Sequence, residues 1–326
     1  MTAWTGSARD ATSAPSSAGT VSCPRRWRRP DGRGPRVDGG PTLLFGVGAA
    51  RAGTSWAYRY LLGHPDCHLR SIKELHHFDT LEDGHAAERL AELRREKNAF
   101  KRALREAGRS RPAWLVQRAA DVAELIELTE HGGRGSARYL AYLDRGAGDK
   151  RLVADLTPAY ALLPERRLAE MAMLRPSVRF LYLVRDPVDR LWSHALLLAG
   201  RRAEDGEDDL VPRAARIFER ALRGGEPEIM RRGDYESALR KLARAVPSPH
   251  LLVEFTERLG EEDSQRRLCS FLGIGYRPAQ GPEAVAGGLP DPLRQAAARA
   301  LAGQYDYVRR MHGPLPARWQ ANMETV

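Results

Sequence analysis

Residues 46–55, Gly46-Val47-Gly48-Ala49-Ala50-Arg51-Ala52-Gly53-Thr54-Ser55, set three glycines around one arginine and end in two adjacent hydroxyls. Such a turn can capture an anion. Glycines let backbone amides approach it, a following helix offers its positive end, and a guanidinium grips two oxygens of one anionic group at once. A nucleoside triphosphatase requires a lysine directly after the second glycine of this pattern, whereas Thr54 follows Gly53 here. The turn therefore suits anion binding without a metal ion. A second set of the same kind is Arg185-Asp186-Pro187-Val188-Asp189-Arg190-Leu191-Trp192-Ser193-His194. Asp186 can cap a helix there and Pro187 fits its first position. Between the two lies Ser71-Ile72-Lys73-Glu74-Leu75-His76-His77-Phe78-Asp79. A carboxylate such as Glu74 can take a proton from a hydroxyl or amine, His76 is the alternative base, and Lys73 can neutralise an anion. A solvated, salt-bridged loop is the plain alternative for this cluster. A metal site built from His64, His68, His76, His77 and Asp79 is set aside, because no histidine pair falls on a clear helix.

These residues need elements to position them. The apolar run Leu43-Leu44-Phe45 reads as a buried parallel strand leading into the first turn, and Ser55 to Leu62 continues as a helix. Val178 to Val184 is a second β-rich run ending at Arg185, Leu152 to Ala154 a third, and His250 to Phe255 a fourth. Gly84 to Arg109 is an amphipathic helix with Leu90, Leu93, Phe100 and Leu104 on one stripe, and residues 120–145 are helical as well. A helix running to about Gly200, an acidic linker from Glu204 to Asp209, a helix to Gly224, and the helical spacing of Tyr235, Leu239, Leu242 and Val246 follow. Strands alternating with helices predict an α/β fold, a P-loop-type parallel β-sheet flanked by helices on both faces, as a single domain over 41–326. Ligands of such sheets gather beyond the carboxyl ends of the strands, where Arg51, Glu74, Thr157 and Arg185 would converge.

Taken together, the segments resemble the sulfotransferases that use 3′-phosphoadenosine 5′-phosphosulfate. Arg51-Ala52-Gly53-Thr54-Ser55 is similar to their 5′-phosphosulfate signature with arginine in place of lysine, which implies that Arg51, Ala52, Gly53, Thr54 and Ser55 bind that end. Trp56 stands where cytosolic members carry a tryptophan stacked on adenine; a core tryptophan is the equal alternative. The segment from Arg185 to Ser193 matches the family's 3′-phosphate signature in full, implying that Arg185 and Ser193 hold the 3′-phosphate while Arg190 supports the loop. His194 replaces the usual tyrosine.

The Lys73–Asp79 segment resembles heparan sulfate sulfotransferases, and on that resemblance Glu74 is the base with His76 and Asp79 assisting. Asp155-Leu156-Thr157-Pro158-Ala159-Tyr160 is similar to the Lys-Thr-Pro-x-Tyr stretch of the glycan enzymes, implying that Lys73, Thr157, Pro158 and Tyr160 meet the acceptor. Leu156 takes the place of the lysine, and Arg151 or Lys73 is the candidate to compensate. The resemblance covers about residues 42–275; beyond it no C-terminal cofactor loop of the family is found. It implies in-line sulfuryl transfer to a hydroxyl or amine of a small-molecule or glycan acceptor. A P-loop small-molecule kinase and a catalytically inactive nucleotide-binding protein are the alternatives.

Residues 1–40 are rich in Ser, Gly, Pro and Arg, and burial cannot offset their ordering entropy, which predicts a disordered tail. The net charge of +10 fits anionic ligands, while nucleic-acid binding would require a continuous basic stripe or an aromatic platform, and neither is evident. Cys23, Cys67 and Cys269 are too scattered for a disulfide framework, and no run of about 18 apolar residues could span a membrane. A cytoplasmic enzyme without a resident metal is the expectation.

Overall fold

The structure, a computed structural model, describes residues 40–108, 110–131, 136–203, 209–283 and 288–324. The tail expected before residue 40 and most of the acidic linker fall outside these. In chain order the elements begin β1 (Thr42–Gly48), α1 (Thr54–Leu62), β2 (Cys67–Leu69), α2 (His77–Asp83), α3 (Ala86–Glu106), α4 (Ala113–Glu130), α5 (Ser136–Asp144) and β3 (Leu152–Asp155). They continue α6 (Glu165–Ala172), β4 (Val178–Val184), α7 (Pro187–Arg201), α8 (Val211–Leu222), α9 (Pro227–Arg231), α10 (Tyr235–Ala245), β5 (Leu251–Phe255) and α11 (Glu262–Leu272). Three helices close the chain: α12 (Asp291–Ala300), α13 (Ala302–His312) and α14 (Ala317–Met323).

The strands form one parallel sheet in the order β2-β3-β1-β4-β5. Consecutive residues Phe180, Leu181, Tyr182, Leu183 and Val184 of β4 are all buried. Neighbouring side chains on a strand point to opposite faces, so both faces of the sheet are covered. That double coverage is what an apolar run such as Leu43-Leu44-Phe45 requires, each buried side chain contributing roughly 1.5–3 kcal/mol relative to exposure. Chain order reverses around β1, which lies between β3 and β4. The loops leaving these three adjacent strands at their carboxyl ends are therefore brought together, as the topology of open α/β sheets demands.

The stretch expected to be helical over 120–145 holds the end of α4 and all of α5. The strand expected from His250 starts at Leu251, after a short 3-10 turn over Ser248–His250. Close approach of neighbouring side chains explains two glycines at the end of β1: a Cβ on Gly46 would lie 2.7 Å from Leu156 Cγ, and one on Gly48 would lie 2.5 Å from the Tyr182 ring.

Candidate active site

The turn after β1 is built for an anion. Gly53, at φ 88°, precedes α1, whose first turn holds no acidic residue and receives no side-chain cap. Its amides and dipole are thus left to a ligand. Among the described residues, Arg51 and His76 are the two non-glycine residues in the left-handed region, at φ 69° and 56°. Such conformations cost energy and cluster where a side chain must be aimed. Both belong to this site.

The turn after β4 meets the first directly. Arg51 Nε donates to Ser193 Oγ at 3.0 Å, and Arg185 Nη1 donates to the Arg51 carbonyl at 3.4 Å. Asp186 caps α7, its side chain accepting from Asp189 N at 2.9 Å. Tyr235 fixes the strand exit, its hydroxyl donating to the Arg185 carbonyl at 2.5 Å. Arg190 is buried and donates to the Ile229 carbonyl at 3.2 Å, and a Cβ on Gly233 would lie within 2.3 Å of its guanidinium. Burial, then the charges of Arg190, Arg232, Arg51 and Arg201, push the His194 imidazole down to about 2. The imidazole is thus held neutral, with Arg190 Nη1 3.4 Å from its Nδ1.

Glu74 reaches the first turn through Lys73. The Lys73 ammonium donates to Ser55 Oγ at 2.9 Å and to Glu74 Oε1 at 2.7 Å. On the other side His76 Nε2 lies 3.5 Å from Glu74 Oε2, and His76 Nδ1 lies 2.6 Å from Asp79 Oδ2. Burial opposes charge on both Glu74 and His76, but the paired groups win. The hydrogen bond to His76 and the Lys73 charge hold the Glu74 carboxyl down to about 2, and Asp79 and Glu74 raise His76 to about 9.

The segment is held from two directions. Asp121 of α4 accepts from Ser71 N at 2.7 Å and pairs with the buried Arg70 at 2.8 Å. From below, Thr157 Oγ1 accepts from Leu75 N at 3.0 Å, and the Tyr160 hydroxyl accepts from His77 N at 3.0 Å. Both hydroxyls donate to Asp155, at 2.6 Å and 2.7 Å, as does Tyr139 at 2.8 Å. Burial pushes the Asp155 carboxyl up to about 6, against these three bonds.

Some expected site residues stand elsewhere. Thr157, Pro158 and Tyr160 are buried, and the hydroxyls of Thr157 and Tyr160 accept from the Glu74 segment while donating to Asp155. Trp56 is buried, its ring stacked on Tyr60 at 5.1 Å and its N–H donating to the Gln280 carbonyl at 2.6 Å. Arg151 immediately precedes β3, at the end of the sheet away from the loops, with its amide on the Asp66 carbonyl, whereas Lys73 lies at the first turn, bonded to Ser55. The buried braces Asp121 and Asp155 were not singled out from sequence, although Asp155 heads the Asp155–Tyr160 stretch. A run of residue types does not disclose which way a buried carboxylate points.

The sheet and its paired loops define an α/β protein in which a glycine-rich turn, a carboxylate and a lysine gather at the carboxyl edge of a parallel sheet. By the match of a family profile for the "Sulfotransferase family" over residues 41–278, the chain belongs to the sulfotransferases. A triphosphate-using kinase is thereby set aside. Among solved structures, the sulfotransferase from Alicyclobacillus acidocaldarius is similar at 20% identity and a TM-score of 0.54, covering 86% of this chain and 99% of that one. This likeness shows the shared fold. The sulfotransferase domain of the Synechococcus PCC 7002 olefin synthase is 21% identical at a TM-score of 0.44 over 92% of this chain and 96% of its own. The sulfotransferase domain of the curacin biosynthetic pathway is 18% identical at 0.42 over 87% and 96%. No curated protein sequence matches the chain. The likeness of the Glu74 segment to heparan sulfate enzymes rests on that segment alone. No helix among the described residues is long and apolar enough to cross a membrane.

Proposed function

We propose that the protein transfers a sulfuryl group from 3′-phosphoadenosine 5′-phosphosulfate to a hydroxyl or amine of a small-molecule or carbohydrate acceptor, with Glu74 as the base. The observation that carries this reading is the Lys73 bridge, which joins Ser55 of the anion-binding turn to Glu74. The donor supplies the sulfuryl group, and adenosine 3′,5′-bisphosphate leaves with the electron pair of the broken sulfur–oxygen bond. The uncapped start of α1, with Arg51, Ala52, Gly53, Thr54 and Ser55, fits the 5′ end, and Arg185 and Ser193 fit the 3′-phosphate. Arg51, in hydrogen-bond contact with Ser193, stands between them.

Glu74 accepts the acceptor's proton as the acceptor oxygen or nitrogen bonds to sulfur. His76, raised to about 9, already carries its proton at neutral pH, which favours Glu74 over His76 as the base. A carboxyl held at about 2 is a weak base. An anion at Ser55 competes for the Lys73 ammonium, and each contact that Lys73 withdraws from Glu74 moves that carboxyl back toward its ordinary range. Lys73 and Arg51 then stabilise the charge growing on the transferring and leaving groups.

Turnover of the donor with a panel of phenols, alkanols and amino sugars tests the assignment. Glu74→Gln is expected to lower the rate about 10²–10⁴-fold while calorimetric affinity for adenosine 3′,5′-bisphosphate is unchanged. Full turnover by that variant removes Glu74 from the role.

A further inference from the structure

The loop after β4 presents a difficulty for a phosphate. Asp186 and Asp189 place two carboxylates at the start of α7, a position the helix dipole favours, beside Arg185 and Ser193. Like charge so close opposes a phosphate dianion. The answer lies beyond residue 278, where the family match ends. Arg294 of α12 donates from Nη1 to Asp189 Oδ1 at 2.9 Å. Arg318 of α14 grips the same carboxylate with two bonds, Nε to Oδ2 at 2.9 Å and Nη2 to Oδ1 at 3.1 Å. Tyr305 of α13 donates its hydroxyl to Asp186 Oδ2 at 2.9 Å, and Asp186 is wholly buried.

The consequences for charge differ between the two acids. Burial raises the Asp186 carboxyl. For Asp189 burial acts in the same direction but Arg318 and Arg294 outweigh it, so it stays ionised inside a pair of guanidinium groups. Arg294 and Arg318 thus offset the negative charge of Asp189, leaving Arg185 as the cation at the strand exit.

We infer that Arg294 and Arg318, by neutralising Asp189, set the preference of this site for nucleotides that carry a 3′-phosphate. They act as positioning residues through Asp189 and need not touch the nucleotide. The inference rests on the reading of the α7 loop as the 3′-phosphate site.

The test is calorimetry at low salt with adenosine 3′,5′-bisphosphate and adenosine 5′-monophosphate. In Arg294→Met/Arg318→Met the bisphosphate is expected to bind about tenfold more weakly or worse, with the monophosphate changed less than about twofold. Adding Asp189→Asn to that variant removes the unpaired charge and is expected to restore most of the loss, which a merely structural role for the arginines would not do. Equal weakening of both nucleotides, or no recovery with Asp189→Asn, overturns the inference. Should the double variant fail to fold, Arg318→Met, at a half-exposed position, carries the same comparison with a smaller loss. A wild-type protein that held both nucleotides equally would instead refute the 3′-phosphate reading itself.

Discussion

The two loops proposed to face anions begin their helices in opposite ways. After β1 the chain relies on backbone: Gly53 in the left-handed region, a first turn of α1 without an acid, and no side chain over its amides. After β4 the helix start is already filled, with Pro187 lacking an N–H, Asp186 capping Asp189 N, and two carboxylates in place. An anion at the second loop must be held by side chains, from Arg185, Ser193 and Arg51, and the acids must be countered from outside the loop. A backbone cradle is local and tolerates little change in the turn. A side-chain site depends on distant helices and can be weakened from far away.

That contrast can be broken most severely at Gly53. A side chain there would be strained at φ 88°, and its Cβ would come within 3.0 Å of Thr256 Cγ2. Gly53→Val is expected to cost about 1–3 kcal/mol of stability and to abolish binding of adenosine 5′-monophosphate and adenosine 3′,5′-bisphosphate alike; unfolding curves and calorimetry read both. Retained monophosphate affinity would remove the backbone cradle from the account. Arg185→Ala is a smaller and more selective change. Losing one charge-assisted contact, about 1.5–3 kcal/mol, should weaken the bisphosphate about 10–100-fold and leave the 5′-monophosphate nearly as before. Unaltered bisphosphate affinity would place the 3′-phosphate elsewhere.

The smallest effect is one of pH, and it concerns the charged chain from Lys73 through Glu74 and His76 to Asp79, beside the first loop. His76 is raised from 6.5 to about 9, so the stability it contributes is complete below pH 6.5 and is lost as pH rises through 9. Glu74 is lowered from 4.5 to about 2, so its contribution is complete above pH 4.5 and is lost as pH falls toward 2. The gap in melting temperature between wild type and His76→Gln should therefore narrow between pH 6.5 and 9. A gap constant across that window would mean that His76 is not held charged by Asp79 and Glu74.

Much of this architecture was legible in the chain. β1 carries the apolar run Leu43-Leu44-Phe45 and β4 the run Phe180 to Val184, Asp186-Pro187 announces a helix start, and the glycines around Arg51 announce the strand-to-helix turn. β2 escaped notice because three residues are too few to show a period. The roles of α12, α13 and α14 were hidden for another reason. Each is an ordinary amphipathic helix, and what matters is where Arg294, Tyr305 and Arg318 land on α7, more than a hundred residues away in sequence. Within the site, residue types near Glu74 were readable, but direction was not: Thr157 and Tyr160 turn inward to Asp155, and Trp56 turns into the core.

The central claim is that the two loops grip opposite ends of one nucleoside bisphosphate. Titration calorimetry of the wild-type protein with adenosine 3′,5′-bisphosphate, adenosine 5′-monophosphate and adenosine 3′-monophosphate tests it most directly. The account predicts that the bisphosphate binds far more tightly than either monophosphate, with each monophosphate still measurable. A monophosphate that binds as tightly as the bisphosphate would contradict it, since one loop would then be doing the work assigned to two.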